Sequence, residues 1–316
     1  MLQKIKSGIL GLSIGDAVGV PVEFKDRTIL KSSPVSEMTG YGTYNLPAGS
    51  WSDDTSMTLA LLDTLKPGFE YSQVMDAFKA WMKEGKYTPW GEMFDIGNTC
   101  SIAINRYIQG ANPVECGPKD VFSNGNGSLM RILPAAFYIK SQGYDSPFDT
   151  DGPVELINNL SALTHGHDRS KIACCIYISC AMALMDTPSV DGLKKGLSRA
   201  WAYFNSHPTY ILEFASYKRI YSENFRNLTE NEIKSSGYVV DTLESALWCI
   251  MNTSSYKECI LKAVNLGHDT DTTAAVAGGL AGLLYGLEGI PDEWMDTLVN
   301  RDYIEKLCEK FYGGLS

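Results

Sequence analysis

The chain has 316 residues, 44% of them hydrophobic and 20% charged, with a formal net charge of −10. A chain of this length can bury roughly 75% of its unfolded surface in one core. Its acidity excludes a nucleic-acid scaffold held by counterion release, although a nucleotide-like ligand needs only a local pocket of donors.

From the N-terminus, Met1 to Lys6 lacks the continuous apolar stretch of a signal peptide. Gly15-Asp16-Ala17-Val18-Gly19-Val20-Pro21-Val22-Glu23-Phe24 follows, with glycines that permit tight turns and with Asp16 and Glu23 close to a helix end. Asp16 reads as a helix-terminating or structural residue. Residues 31–49 are rich in turn formers and predict a loop, as do 90–97 and 121–127. Met57, Ala60, Leu61 and Thr64 carry helical spacing and predict a helix from Met57 to Leu65. A second is expected from Leu129 to Lys140, headed by the glycine loop Asn124 to Ser128.

The two longest apolar runs, Ile172 to Met185 and Ala274 to Leu287, have 14 residues each. A membrane span needs about 20, so both read as buried helices and no membrane partner is expected. Capping-box patterns stand at Thr229/Glu232, Asp241/Glu244 and Ser255/Glu258, the last ahead of the helical spacing of Tyr256, Ile260, Ala263 and Val264. Gly278, Gly279, Gly282 and Gly286 would weaken an isolated helix, and make sense where a neighbour approaches closely. Eight cysteines without a CxxC pair, two of them adjacent at Cys174-Cys175, point to a reduced, cytoplasmic protein. Strand alternation is scarce, and no repeat or linker appears. The expectation is one all-α domain over residues 1–316, with its chemistry in a cleft formed by loops at helix ends.

Two acidic clusters carry that chemistry: Ser52-Asp53-Asp54-Thr55 and His268-Asp269-Thr270-Asp271-Thr272. Each packs two carboxylates within three residues, flanks them with hydroxyls and leads into an apolar run. If the clusters met, each like-charged pair at roughly 5 Å and an effective dielectric near 20 would cost about 3 kcal/mol. Either protons or divalent cations must neutralise them. Oxygen-only ligands favour Mg²⁺, Mn²⁺ or Ca²⁺ over zinc. Helix capping alone needs one oxygen per helix and leaves the doubling unexplained.

Further motifs are Phe94-Asp95-Ile96-Gly97-Asn98, Asn124-Gly125-Asn126-Gly127-Ser128-Leu129-Met130-Arg131 and Thr164-His165-Gly166-His167. The glycine loop lacks the GK[ST] ending of a P-loop, so an ATPase reading is poor. In this order and register the motifs resemble the ADP-ribosylglycohydrolase family, which includes the glycohydrolase that reactivates dinitrogenase reductase. The resemblance runs over most of the chain, and the paired acidic elements are its most specific part. It implies an all-helical fold with two divalent cations, Mg²⁺ or Mn²⁺, at the base of a cleft. Ser52, Asp53 and Asp54 would ligate from one side, and Asp269, Asp271 and Thr272 from the other. Many members have Thr where this chain has Ser52, which keeps the hydroxyl oxygen.

The resemblance also puts Glu23 beside the scissile N-glycosidic bond, either to position or deprotonate water or to stabilise an oxocarbenium-like sugar. Asp95 and Asn98 match members directed at arginine. Asp95 would accept paired N–H bonds from a guanidinium or serve as the acid–base partner. Gly125, Asn126, Gly127 and Ser128 would hold the diphosphate, and His165 would touch the ligand, whereas His167 reads equally as a loop or core histidine. The substrate so implied is an ADP-ribosylated protein or an ADP-ribosyl small molecule, with arginine as the modified side chain. A silent ADP-ribose-binding or crystallin-like protein is one alternative, a hydrolase of another ADP-ribose linkage a second, and a di-metal phosphohydrolase a third. A retired enzyme should have lost one of Asp53, Asp54, Asp269 or Asp271, and all four are present. A phosphohydrolase would release phosphate, and a glycosidase intact ADP-ribose.

Overall fold

Four glycines of the first helix, Gly8, Gly11, Gly15 and Gly19, strip one face of it bare of side chains. In the computed structural model, which describes residues 1–315, that face packs on the glycine-bearing helix late in the chain. Fifteen α-helices occur among the described residues. The first seven are α1 (Leu2–Gly19), α2 (Arg27–Ser32), α3 (Asp53–Thr64), α4 (Tyr71–Glu84), α5 (Asn98–Ile108), α6 (Pro134–Ser141) and α7 (Asp151–Ala162). Next come α8 (Asp168–Asp186), α9 (Val190–Phe204), α10 (Ile211–Phe214) and α11 (Val239–Met251). The last four are α12 (Tyr256–Asn265), α13 (Thr270–Tyr285), α14 (Asp292–Thr297) and α15 (Arg301–Gly314). The described residues hold no strand, only isolated bridges at Tyr41–Leu46 and Gly125–Tyr238.

α1 and α13 form the most extensive helix pair and run antiparallel. Gly11 meets Gly278, Gly15 meets Ala274, and Gly19 meets Asp271, backbone against backbone. Ala, Val and Leu then fill the space on either side, and α8, α11 and α12 close over the pair. Polar cross-links keep these layers in register: Tyr256 Oη donates to the Gly11 carbonyl at 2.5 Å and Tyr177 Oη to the Val276 carbonyl at 3.1 Å. On the far side α3 and α15 pack on α1, fringed by Lys6–Glu305 and Lys6–Glu309 pairs at 3.0 and 2.7 Å. The eight cysteines are free and buried, Cys174 and Cys175 in the core of α8.

Several sequence expectations need correction. Leu2–Val22 is long and apolar enough to cross a membrane, a longer stretch than either run singled out above, and its apolar 18-residue window is 94% buried inside the fold as its central helix. The helix expected from Leu129 begins only at Pro134. Residues 126–133 fold as successive turns instead, because the Arg131 guanidinium bonds back to the Gly127 carbonyl and Pro134 takes the first helical position. Thr229 and Glu232 do form their reciprocal cap, but on a three-residue 3₁₀ turn. Asp241 caps nothing: α11 starts two residues earlier, and Glu244 pairs with Arg219. Ser255 caps α12, accepting from Glu258 N at 3.2 Å, but the reciprocal half of the box is displaced by one residue, Glu258 Oε2 accepting from Ser254 N at 2.9 Å. Gly286 serves as the left-handed end of α13 and not in helix packing.

The α1–α13 contact has a direct test. A methyl on Gly15 would strike the Ala274 carbonyl, so Gly15→Ala should destabilise the protein by about 1–3 kcal/mol. Gly152→Ala, with no neighbour closer than 3.8 Å, should be neutral or stabilising by up to about 1 kcal/mol. Urea denaturation of both variants reads the difference, and equal midpoints would contradict the close contact.

Candidate metal centre and cleft

The helix pairing delivers Asp16, near the end of α1, to the start of α13. Asp16 is fully buried and accepts from Ser52 N at 3.0 Å, Thr55 N at 3.0 Å and Thr55 Oγ1 at 2.6 Å. It thereby fixes the N-terminus of α3, where Ser52 is the N-cap and Asp53 and Asp54 form the first turn. Both α3 and α13 point their N-termini at the same volume, the end of a helix that favours negative charge. The two acidic segments meet directly: Ser52 Oγ and Thr272 Oγ1 both donate to Asp54 Oδ2, at 3.0 and 3.3 Å.

After α1 the chain turns through Pro21 to Glu23, and this turn is stitched to the approach to α13. Phe24, at φ +64°, donates its N–H to the His268 carbonyl at 2.7 Å, and His268 N returns one to Lys25 O at 2.8 Å. Arg27 donates to the carbonyls of Leu266 at 2.6 Å and Ile233 at 2.7 Å, and also to that of Glu230. Glu23 and Asp269 are so brought together with Asp271.

Oxygens of Asp16, Asp54 and Asp271 lie within 4.8 Å of one another, and so do those of Glu23, Asp269 and Asp271. Burial, and then neighbouring carboxylates, push Asp53, Asp54 and Asp271 well above the usual carboxylate range. Burial also raises Asp16 to about 6 against the pull of its donors. Glu23 rises to about 8, through burial first and then the Asp95 charge. Asp54 Oδ1 and Asp271 Oδ2 are buried without any hydrogen-bond partner among the described residues. Unpaired buried carboxylate oxygens in an all-oxygen cluster suit hard divalent cations, so the donor set fits the implied metals.

Above this floor lies a cleft of about 370 Å³. Glu23, Asp53, Asp95, Asn98, Gly125, Asn126, Gly127, His165, Asp269 and Thr272 line it. Ser52, Asp54 and Asp271 lie beneath it, buried. Asp95, in a left-handed turn at φ +52°, shares the cleft lining with Glu23, and Asn98 opens α5 at the exposed rim. Asn126 reaches Asp269 Oδ2 at 2.7 Å and Thr242 Oγ1 at 2.9 Å, which orients that carboxylate.

The glycine loop departs from expectation in two ways. It does not head a helix, and Asn126 N is already committed to the Gly237 carbonyl at 3.1 Å. Ser128 is not on the cleft wall: it is fully buried, its Oγ accepting from Ser161 Oγ at 3.0 Å. Gly127 must stay small, since a Cβ there would lie 2.8 Å from Cys100 Sγ and 2.9 Å from His165 Cε1. His165 is neutral, with burial and the nearby Arg131 pulling it down to about 3, and its Nδ1 pairs with Thr164 Oγ1 at 2.8 Å. His167 is the N-cap of α8, accepting from Arg169 N at 3.2 Å.

Sequence reasoning missed Asp16 as a member of the cluster, although Gly15-Asp16 stood in a motif already singled out, and it gave Thr55, the flanking hydroxyl of the first acidic segment, no role of its own. It also missed Tyr44, whose hydroxyl donates to Glu23 Oε2 at 2.7 Å from a segment with no periodic signal. Arg131 emerges as a buried cation under the loop, bonded to Leu160 O at 3.0 Å and lying over the Phe78 ring.

The profile of the ADP-ribosylglycohydrolase family matches residues 1–316. An ADP-ribosylarginine hydrolase, Tri1, of Pseudomonas putida (strain GB-1) is 34% identical, over 98% of this chain and 78% of that one. The ADP-ribosyl-[dinitrogen reductase] glycohydrolase of Rhodospirillum rubrum is 32% identical, over 92% and 88%. A solved structure described as an ADP-ribosylglycohydrolase-related protein complex superposes with a TM-score of 0.78 at 29% identity, covering 100% and 99% of the two chains.

The raised carboxylates fix a pH dependence. A group whose proton affinity is higher folded than unfolded stabilises the fold at low pH, and that contribution is lost as pH rises through its folded pKa. For Glu23 the window runs from its ordinary 4.5 to about 8, and for Asp16 from 3.8 to about 6. Metal-stripped protein should therefore show a falling thermal midpoint from pH 5 to pH 8. Added Mg²⁺ or Mn²⁺ should raise it more at pH 8 than at pH 5, because ligands must be deprotonated to bind. Calorimetry showing the opposite slope would contradict the cluster.

Proposed function

Because this chain belongs to the ADP-ribosylglycohydrolase family, we propose that its cleft hydrolyses the N-glycosidic bond between ADP-ribose and the guanidinium of a modified arginine. The observation that carries the choice of arginine is the charge of the wall. Glu23, Asp53, Asp95 and Asp269 line the cleft, with no lysine or arginine among the described lining residues. Such a wall receives a cationic guanidinium, and it accords with relatives named for arginine and for dinitrogen reductase. The substrate class is then an ADP-ribosylated protein, with an ADP-ribosyl small molecule as a minimal version.

Ser52, Asp53, Asp54, Asp269, Asp271 and Thr272 would hold two divalent cations, Mg²⁺ or Mn²⁺. When bound, these supply charge neutralisation and orientation of the ribose hydroxyls. The chain's own groups divide the remaining work. Asp95, half-buried at the cleft wall, accepts the parallel N–H bonds of the guanidinium and holds the leaving group in line. Glu23 takes the proton of the attacking water. Burial and the carboxylates around it raise its proton affinity, as a general base working near neutral pH requires. Asn126 keeps Asp269 in one orientation, and His165, being neutral, adds no charge where the diphosphate must pass. Segments from residue 16 to residue 272 contribute, so we take residues 1–316 as one domain. Eight buried, unpaired thiols support a reducing compartment such as the cytoplasm as its place of work.

Incubation with arginine-, serine- and base-linked ADP-ribose, with products identified by mass, tests this reading. Intact ADP-ribose should appear from the arginine linkage, and phosphate release would point to a phosphohydrolase instead. EDTA should abolish turnover, and Mg²⁺ or Mn²⁺ should restore it in the native protein but not in Asp54→Ala or Asp271→Ala. Asp95→Ala should lower kcat/KM for the arginine linkage by roughly 10²-fold or more, with a smaller loss for the serine linkage. Equal losses across linkages would remove the basis for choosing arginine.

A further inference from the structure

Residues 40–48 form a small exposed hairpin that contributes nothing to the cleft lining, yet it grips the turn that carries Glu23. Tyr41 N donates to the Leu46 carbonyl and closes the hairpin. Gly42, in the left-handed region at φ +61°, lies so close to the Pro21 carbonyl that a Cβ would strike it. Thr43 N donates to Pro21 O at 3.1 Å, and Thr43 Oγ1 to Glu23 O at 2.8 Å. The next residue, Tyr44, donates its hydroxyl to Glu23 Oε2 at 2.7 Å. Its ring lies 5.0 Å from that of Phe94, the residue before Asp95.

We propose that Tyr44 is a positioning residue for the hydrolysis: its hydroxyl fixes the Glu23 carboxylate, while its ring registers the Phe94–Asp95 turn to the same point. The inference rests on the role given to Glu23 above. Two consecutive residues, Thr43 and Tyr44, hold two carbonyls and the carboxylate of one short turn, which is more than anchoring the hairpin requires. A side chain held at both its base and its tip loses little entropy on entering a reactive geometry. Tyr44 thus joins the Glu23 wall to the Asp95 wall from outside the cleft lining, through its ring contact with Phe94 and a hydroxyl interaction with the Asp95 carboxylate itself.

Tyr44→Phe removes the hydroxyl and keeps the ring. We expect kcat on ADP-ribosyl-arginine to fall roughly 10-fold, as for removal of an outer-shell partner. KM should change by less than about two-fold, since the substrate's own contacts are untouched. The thermal midpoint should drop by no more than about 3 °C, the equivalent of one lost hydrogen bond. In a Glu23→Asp background, whose shorter carboxylate is out of reach of the hydroxyl, adding Tyr44→Phe should cost less than about two-fold. Phe94→Leu, which loosens only the ring contact, should lower kcat several-fold for the arginine linkage and serves if Tyr44→Phe does not fold. Full kcat in Tyr44→Phe, or a full multiplicative loss in the Glu23→Asp background, overturns the proposal while leaving Glu23 in place. An undiminished rate in Glu23→Gln would instead overturn the role of Glu23 itself.

Discussion

Everything at the centre depends on two helices touching without side chains between them. Gly11 against Gly278 and Gly15 against Ala274 bring the axes of α1 and α13 close, and Gly19 then meets Asp271. A methyl in that seam would push the helices apart, and Asp16 would withdraw from the partner carboxylates that lie within 4.8 Å of it. Glycine in a helix interior costs roughly 1 kcal/mol relative to alanine. The burial of nearly all of α1 offsets that cost, since each large apolar side chain taken out of water contributes about 1.5–3 kcal/mol.

The stability so gained is spent locally on electrostatic conflict. Asp16, Asp53, Asp54, Asp271 and Glu23 are buried at one point, and each is driven toward its protonated form. The fold eases the conflict with two helix N-termini, three hydroxyls and the backbone amides that Asp16 accepts. It stops short of complete satisfaction: Asp54 Oδ1 and Asp271 Oδ2 stay unpaired. Residual conflict of this kind marks a place shaped by chemistry and not by folding stability.

How much of this was legible in the sequence follows the physics of each residue. The two acidic segments were plain, because doubled carboxylates with hydroxyls at a helix start have little other use. Asp16 was not, since a lone aspartate in an apolar helix looks the same whether it ends the helix or anchors a partner 36 residues away. The glycines of α13 announced a close neighbour, but the partner face on α1 shows itself only in three dimensions. Leu129, Ile132 and Leu133 carry spacing that fits a helix and a run of buried turns equally well; Arg131 folding back on Gly127 decided for turns. Ser128 was misplaced for the same reason, because turning the chain there points its hydroxyl inward to Ser161. Tyr44 lay in a hairpin with no period to read.

The distribution of charge gives the cleft two unlike sides. Carboxylates on the cleft wall attract a guanidinium and repel a diphosphate, and His165 is kept neutral by burial. The one guanidinium close by, Arg131, is buried behind the glycine loop with its N–H groups committed to the Gly127 and Leu160 carbonyls. It therefore acts as a fixed positive charge in a low-dielectric wall, where Coulomb interactions are several-fold stronger than in water. Placed there, out of reach of direct contact, it offsets negative charge on the loop side of the cleft without offering the acidic floor a salt-bridge partner. A lysine or arginine inside the cleft would pair with Asp53 or Asp269 and neutralise that acidic wall.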